Sequence, residues 1–389
     1  MSERHGLLAI GGGPAALAAA RAYRAAGGRG AVALVADEQT IPYQRPPLTK
    51  QLLRGEGDER ELPLESEQWL REHGIALVAT RALALDPAAR RVALADGREL
   101  AYERCLLATG AEPVRLPVPG ADDPRVRVLR TRHQLHQLLA RLDAGAPVVV
   151  IGSGFIGCEA AASLRRRGNP VTLVSAEPAP LAARLGDAVA ARLRGWLEQE
   201  GVELVVDAEV ERIEHGEQLA EVVAGGRRCS GAVVLMAAGM RPRAELARAA
   251  GIVLEEGAVA VDVTMRTSAG SVLAAGDVCR AEHAFAGRRL RVEHWGDALA
   301  HGEIAGRTAA GAPARWEAVP GFWSTIGDRT LKHAAWGDGH AEVELRDHPD
   351  GGFTASYRDA AGRLVGVLAH DADDDYERGR DQIVADARE

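Results

Sequence analysis

Lysine is almost absent from this chain of 389 residues: Lys50 and Lys332 are its only two, although Lys and Arg together number 47. Arginine supplies nearly all the positive charge, so the lysine at 50 asks for a chemical reason of its own. Cysteine is scarce as well. Cys105, Cys158, Cys229 and Cys279 lie far apart, with no CxxC or CxxxxC pair and no His/Cys grouping at metal-ligand spacing. That pattern excludes a zinc site and a vicinal dithiol, and no metal is expected. The expectation is four reduced thiols in a cytoplasmic protein, with Cys279 the one weighed for a redox role. Excess positive charge is missing too. The formal net charge is -8, the opposite of the basic face that a nucleic-acid binder needs. No apolar run approaches the roughly 18 residues of a membrane span. No signal peptide is expected either, because "GLLAIGGG" at 6–13 already reads as a strand feeding a glycine turn.

What the chain has in quantity is glycine beside apolar strands. "LLAIGGGPAALAAARAYRAAG" sets a short apolar run before Gly11, Gly13 and Ala16, then an alanine-rich helix. In this G-x-G-x-x-A pattern Gly11 permits the tight turn, Gly13 lets the backbone approach a pyrophosphate, and Ala16 keeps helix and strand close. Pro14 and Ala15 fall in the helix's first turn. The next run, "AVALVA", leads into Asp37 and Glu38, where an acid can accept from a ribose hydroxyl. "PVVVIGSGFIGCEAAASLRRRGNPVTLVS" at 147–175 repeats the design with Gly152, Gly154 and Gly157, and with Phe155 and Ile156 opening the helix. One such pattern is a weak signal in a chain rich in Ala and Gly. Two complete copies imply two dinucleotides, and the usual reason for one chain to hold two is electron transfer between a bound flavin and a visiting nicotinamide.

Two further segments close the nucleotide units alike. "CLLATGAEP" at 105–113 and "VVLMAAGMRP" at 233–242 are each an apolar strand, a small-residue turn and a proline. Thr109 and Gly110 would line the first site, Ala238 and Gly239 the second. "GSVLAAGDV" at 270–278 runs a strand into Gly276 and Asp277, and a carboxylate at such a strand end can accept from the ribityl hydroxyls of FAD. The fold class is therefore α/β with two Rossmann-like dinucleotide-binding domains. In the tail, 351–371 reads as strand, turn over 359–362, and strand, with a helix expected from 374.

Between the first unit's strands lies "IPYQRPPLTK" at 41–50, a stiff cationic loop with adjacent prolines, Arg45 and Lys50. Together with "IGGGPAA", "LATGAEP", "IGSGFIGCEAA", "AAGMRP", "AAGDV", "RVEHWGDALAHGEIAG" and "VPGFWS", it resembles the FAD-dependent, NAD(P)H-using ferredoxin reductases of putidaredoxin, rubredoxin and biphenyl-dioxygenase systems, relatives of apoptosis-inducing factor. The resemblance covers essentially the whole chain, and the proline-rich loop is its specific part. It implies an FAD domain split across 1–112 and 240–318, an NAD(P)H domain inserted at 113–239, and a small C-terminal α/β domain at 319–389. It also implies that NADH or NADPH gives a hydride to FAD, and that electrons pass singly to an iron-sulfur partner, a ferredoxin or rubredoxin serving an oxygenase. Similar disulfide reductases carry a redox-active CxxxxC after the second strand. The loop 42–50 holds no cysteine, so dithiol exchange is not available by that route.

The candidate catalytic residues are Lys50 and Glu159. A compact ammonium near the flavin N5 would stabilise the negative charge that develops there, and a planar guanidinium is no substitute. The resemblance supplies Glu159 as the partner of this lysine, close to the nicotinamide. Arg45 contacts FAD or fixes the loop. Glu293, His294 and Trp295 begin a helix whose first turn would point at the flavin; Trp295 flanks the ring or packs in the core, and His294 and His301 are read as polar or buried rather than as acids. Phe322 and Trp323 are aromatic surface near the flavin or core. Relatives commonly read FWSDQ where this chain has Phe322-Trp323-Ser324-Thr325-Ile326, which leaves the acceptor open. At the second adenosine end Ser175 stands where NAD-selective relatives carry an acid, Glu177 follows, and Ala176 offers no arginine for a 2′-phosphate; NADH is favoured. An NAD(P)H oxidase or quinone reductase, and a redox-gated interaction protein like apoptosis-inducing factor, are the alternatives. The oligomeric state, monomer or dimer, is open.

Overall fold

The apolar runs that lead into the two glycine cradles become inner strands of two sheets. The computed structural model describes residues 4–337 and 339–388. Its first sheet has seven strands. Arg4–Ile10 lies parallel between Ala31–Val35 and Glu99–Leu107, and Ile75–Val78 extends the outer edge. On its other side the long strand Glu99–Leu107 takes two neighbours in turn. Arg91–Leu94 runs antiparallel beside its beginning, and Val272–Ala274 runs parallel beside its end. Ala82–Asp86 then pairs with Arg91–Leu94.

After Leu107 the chain leaves this sheet. Ala111–Pro113 pairs antiparallel with Met240–Pro242, so the outgoing and returning segments are tied together. Between them stands a five-stranded sheet in the order Glu203–Val205, Val171–Val174, Val148–Ile151, Val233–Met236, Val126–Arg127, all parallel. Its central strand "VVVI" is buried throughout, as expected of a parallel sheet covered on both faces. The chain then ends in a five-stranded antiparallel sheet built from Gly321–Ile326, Arg329–Ala335, Leu364–His370, Phe353–Arg358 and Glu342–Asp347. The turn expected at 359–362 is there, with the Asp359 carboxylate accepting from the backbone N–H groups of Ala361 and Arg363 at 2.9 and 3.0 Å.

Four helices position the site: α1 (Pro14–Ala25), α2 (Phe155–Arg166), α3 (Trp295–Ala309) and α4 (Asp373–Asp386). α1 and α3 pack unusually close. Gly302 and Gly306, one turn apart on α3, lie against the backbone of α1, where a Cβ would collide with the carbonyl oxygens of Ala15 and Ala19. α4 covers the C-terminal sheet. That sheet shares one apolar core with the first sheet through Ala334, Val367 and Ala369, and another with the parallel sheet through Leu331, Phe353 and Tyr357. The three sheets therefore meet at one junction.

Candidate active site

A cavity of about 800 Å³ occupies that junction. Three helix amino termini open onto it: Pro14, Phe155 and Trp295, the first residues of α1, α2 and α3, all line its wall. None of the three is capped by a side chain, so their first-turn N–H groups are left for an acceptor from outside. At Gly13 and Gly154 a Cβ would meet nothing within 4 Å. Both glycines face open space, and backbone can approach a ligand there.

The loop 41–50 crosses between the two cradles. Pro46 and Pro47 sit in the first turn of a short 3-10 helix, Pro46–Thr49, where a fixed φ and a missing N–H cost nothing. The turn delivers Lys50 to the cavity wall with its ammonium buried, 2.6 Å from the Glu159 carboxylate. Glu159 is itself held from three directions. Thr49 Oγ1 donates to its Oε2 at 2.6 Å, Ser324 Oγ donates to its Oε1 at 2.7 Å, and the Thr325 N–H points to Oε1 at 3.4 Å. One buried ion pair thus joins the loop, α2 and the C-terminal sheet. Pairing and hydrogen bonds satisfy a charge that would otherwise be costly to bury.

Arg45 lies at the loop's other end. Its guanidinium reaches Glu38 at 2.5 Å and donates to the Arg130 carbonyl at 2.7 Å, while the Tyr43 hydroxyl donates to the other Glu38 oxygen at 2.6 Å. Arg45 therefore fixes the loop to the acid that follows the second strand. Burial pushes the Tyr43 hydroxyl up to about 12, so it stays a donor.

Of the residues expected around the first dinucleotide, all but Ala16 line the cavity; Ala16 is on the buried side of α1. Asp277 lines it already paired, with Arg130 at 2.5 Å. Of the second set, Gly154, Phe155, Ile156, Glu159 and Gly239 line the cavity. Gly152 and Gly157 shape the turn behind it, where a Cβ at Gly157 would strike the Gly152 carbonyl. Ser175, expected at the adenosine end, is buried; its hydroxyl bonds to Ser153 Oγ at 2.6 Å and accepts the Glu177 N–H at 3.0 Å. The Glu177 carboxylate accepts from Ala183 N at 3.0 Å. Ser175, Glu177 and Ala238 lie outside the cavity wall.

The family model for pyridine nucleotide-disulphide oxidoreductases matches residues 6–302, from the first cradle's strand into α3. The chain belongs to this family. It is 35% identical over 344 residues to the biphenyl dioxygenase system ferredoxin–NAD(+) reductase component of Paraburkholderia xenovorans, covering 88% of this chain and 84% of that one. To the rubredoxin-NAD(+) reductase of Pseudomonas putida it is 33% identical over 329 residues, covering 84% and 85%. The structure of a covalent putidaredoxin reductase–putidaredoxin complex is similar over 97% of this chain and 93% of that one, with a TM-score of 0.91 and 28% identity.

As a pyridine nucleotide-disulphide oxidoreductase the chain departs from the chemistry in the family's name. All four cysteines are free and buried. Burial pushes the thiols of Cys105, Cys158 and Cys279 well above their usual range, and Cys279 Sγ donates to the Gly276 carbonyl at 3.1 Å, which argues against the redox role weighed for it. His294 stacks on Phe322 with ring centroids 4.4 Å apart. Burial, helped by the Arg184 cation, lowers its pKa to about 3, so it is neutral. Phe322 and Trp323 both line the cavity; strand alternation buries Phe322 and leaves Trp323 exposed. Four contributors escape sequence reasoning: Arg130, Thr49, Ser324, and Arg184, whose cation lies 5.5 Å from the Phe155 ring and 5.7 Å from that of Phe322. Thr49 adjoins Lys50 and could have been found from it; the other three carry no local signal.

Proposed function

We propose that this oxidoreductase takes a hydride from NADH onto FAD and passes electrons singly to an iron-sulfur protein, a ferredoxin or rubredoxin of an oxygenase system. The observation that supports this best is the single cavity onto which both glycine cradles open, with the buried Lys50–Glu159 pair between them. The residues present fit the cofactor. Uncapped helix starts and open space at Gly13 suit a pyrophosphate, and the Glu38 and Asp277 carboxylates suit ribose and ribityl hydroxyls. Bound there, FAD supplies the passage from a two-electron donor to a one-electron acceptor.

The rest is the work of the chain's own groups. Gly154 and the start of α2 receive the pyrophosphate of the visiting coenzyme, and Phe155 flanks its nicotinamide. Lys50, held by Glu159, presents a fixed positive charge where negative charge develops, with no reorganisation needed at that moment. The α3 amino terminus adds a second positive potential. Neutral His294 contributes packing and no proton. Trp323, 45% exposed at the cavity's rim, gives the acceptor protein an apolar place to rest. In this reading the segments 1–112 and 240–318 hold FAD, 113–239 holds NADH, and 319–389 closes the site. Preference for NADH follows from Ala176, which offers no cation to a 2′-phosphate, and from Glu177 beside it.

The test is anaerobic. Purified protein should carry about one FAD per chain, bleach on mixing with NADH faster than with NADPH, and then reduce a [2Fe–2S] ferredoxin or a rubredoxin in one-electron steps. Protein that binds no flavin after reconstitution overturns the proposal. Protein that bleaches with NADH but gives its electrons only to oxygen or a quinone overturns the acceptor.

A further inference from the structure

Asp297 lies in the first turn of α3, between Trp295 and Ala298, which both line the cavity. Its own side chain is buried, 5% exposed. The groups that face it come from four elements. The Gly321 N–H, at the start of the C-terminal sheet, donates to it; Asp277 approaches from the turn that closes the first sheet; Arg380 and Tyr376 face it from α4; and His301 follows one turn on along α3. Oδ2 has no hydrogen-bond partner among the described residues. Arg380 is turned toward Glu377, at 3.2 Å, and Asp277 is matched by Arg130. Asp297 is thus a buried acid beside the flavin site without an ion-pair partner of its own. Burial, with the like charge of Asp277 adding and the Gly321 N–H and Arg380 opposing, raises its pKa to about 7. His301 is pushed the other way, to about 3, by burial and by His283, and stays neutral.

We propose that Asp297 is a proton-linked positioning residue for the flavin, binding one proton when the neighbouring ring is reduced and negatively charged and releasing it when the ring is oxidised. The inference rests on FAD occupying the first cradle. The balance closes with the reactants already named. Two electrons and one proton arrive as hydride from the nicotinamide. A second proton comes from solvent and forms an O–H bond at the Asp297 carboxylate. As the two electrons leave to the acceptor, both protons return to solvent, the one that came with the hydride and the one on Asp297. A buried carboxylate and a reduced ring in one low-dielectric neighbourhood repel, so each favours protonation of the other.

The test is the flavin midpoint potential, followed by spectroelectrochemistry across the neutral range. Each proton taken up per two electrons contributes about 30 mV per pH unit. The wild type should show a segment near and above neutrality with a slope of about 60 mV per pH unit, and Asp297→Asn a uniform slope of about 30 mV per pH unit. His301→Gln should keep the steep segment. Identical profiles in wild type and Asp297→Asn overturn the inference, and so does loss of the steep segment in His301→Gln. If Asp297→Asn retains no FAD, the wild type alone decides: its reduced-minus-oxidised infrared spectrum, with ¹³C-labelled aspartate, should gain a carboxylic-acid C=O band at neutral pH, and its absence overturns the inference. A wild type that binds no FAD fails earlier, and fails the functional proposal instead.

Discussion

The two glycine cradles share a motif and differ in what is packed behind them. At the first, α3 presses Gly302 and Gly306 directly onto α1, and Glu38 is clamped by Arg45 and Tyr43. A strand from far along the chain then brings Asp277 to the same wall. At the second, α2 turns Glu159 toward the loop and the C-terminal sheet, and Ser175 is closed on Ser153 rather than on the cavity. In the proposed function each motif receives a pyrophosphate. On the proposed reading this packing separates a resident from a visitor, because the first cradle is braced by α3, by the Arg45–Glu38–Tyr43 contacts and by a strand from far along the chain.

If that contrast holds, lesions in the two cradles have different signatures. Gly302→Val places a branched side chain against the Ala15 carbonyl; overpacking against rigid backbone should cost about 4 kcal/mol or more and abolish soluble, yellow protein, read by flavin content and thermal unfolding. A Gly302→Val protein with full FAD would break the comparison. Lys50→Met should keep FAD and slow its reduction by NADH about 10- to 1000-fold, about 1.4 to 4 kcal/mol. Lys50→Arg should also be impaired, since charge alone is not what the site uses. Combined with Glu159→Ala the effects should be clearly non-additive, measured by anaerobic stopped flow. Ala176→Arg should shift coenzyme preference toward NADPH by about 1 to 3 kcal/mol, with unchanged flavin content; an equal change in both coenzymes would count against an adenosine site there.

The smallest effect sharpens the picture of the first site's surroundings. Burial holds His294, His301 and His333 neutral, each at about 3. In the unfolded chain they bind protons below about 6.5, so the stability they confer is complete above that pH and is lost as pH falls toward about 3. His301→Gln should flatten the acid limb of the pH–stability curve by up to about 1.4 kcal/mol per pH unit, seen in denaturant melts across that range. An unchanged limb would mean that His301 is already solvated.

Much of this was legible in the sequence because the signals are local. A strand, a glycine turn and a helix are adjacent in the chain, so both cradles and the α/β class could be read directly, as could the stiff turn that ends at Lys50. Long-range partners could not. Arg130 and Asp277 meet across 147 residues, and Ser324 and Glu159 across 165; nothing near any of them marks the partner. Ser175 was read by its place after a strand, yet burial and a neighbouring hydroxyl turn it inward. Asp297 was invisible for a similar reason. One acid among 55 acquires its character from burial alone.

The pairing of Cys105 with Val272 has a consequence for biosynthesis. The strand that completes the first sheet, and the α3 glycines that brace its helix, are translated long after the cradle's own turn. At about 5–20 residues per second the delay between Leu107 and Gly302 is roughly ten to forty seconds. The strands of the parallel sheet all lie between 126 and 236, so on the proposed reading the coenzyme's half can form on the ribosome while the cofactor's half still waits for its last strand. Flavin loading is then a late event, and the nascent chain exposes the flank of strand Glu99–Leu107 until residue 272 arrives to cover it.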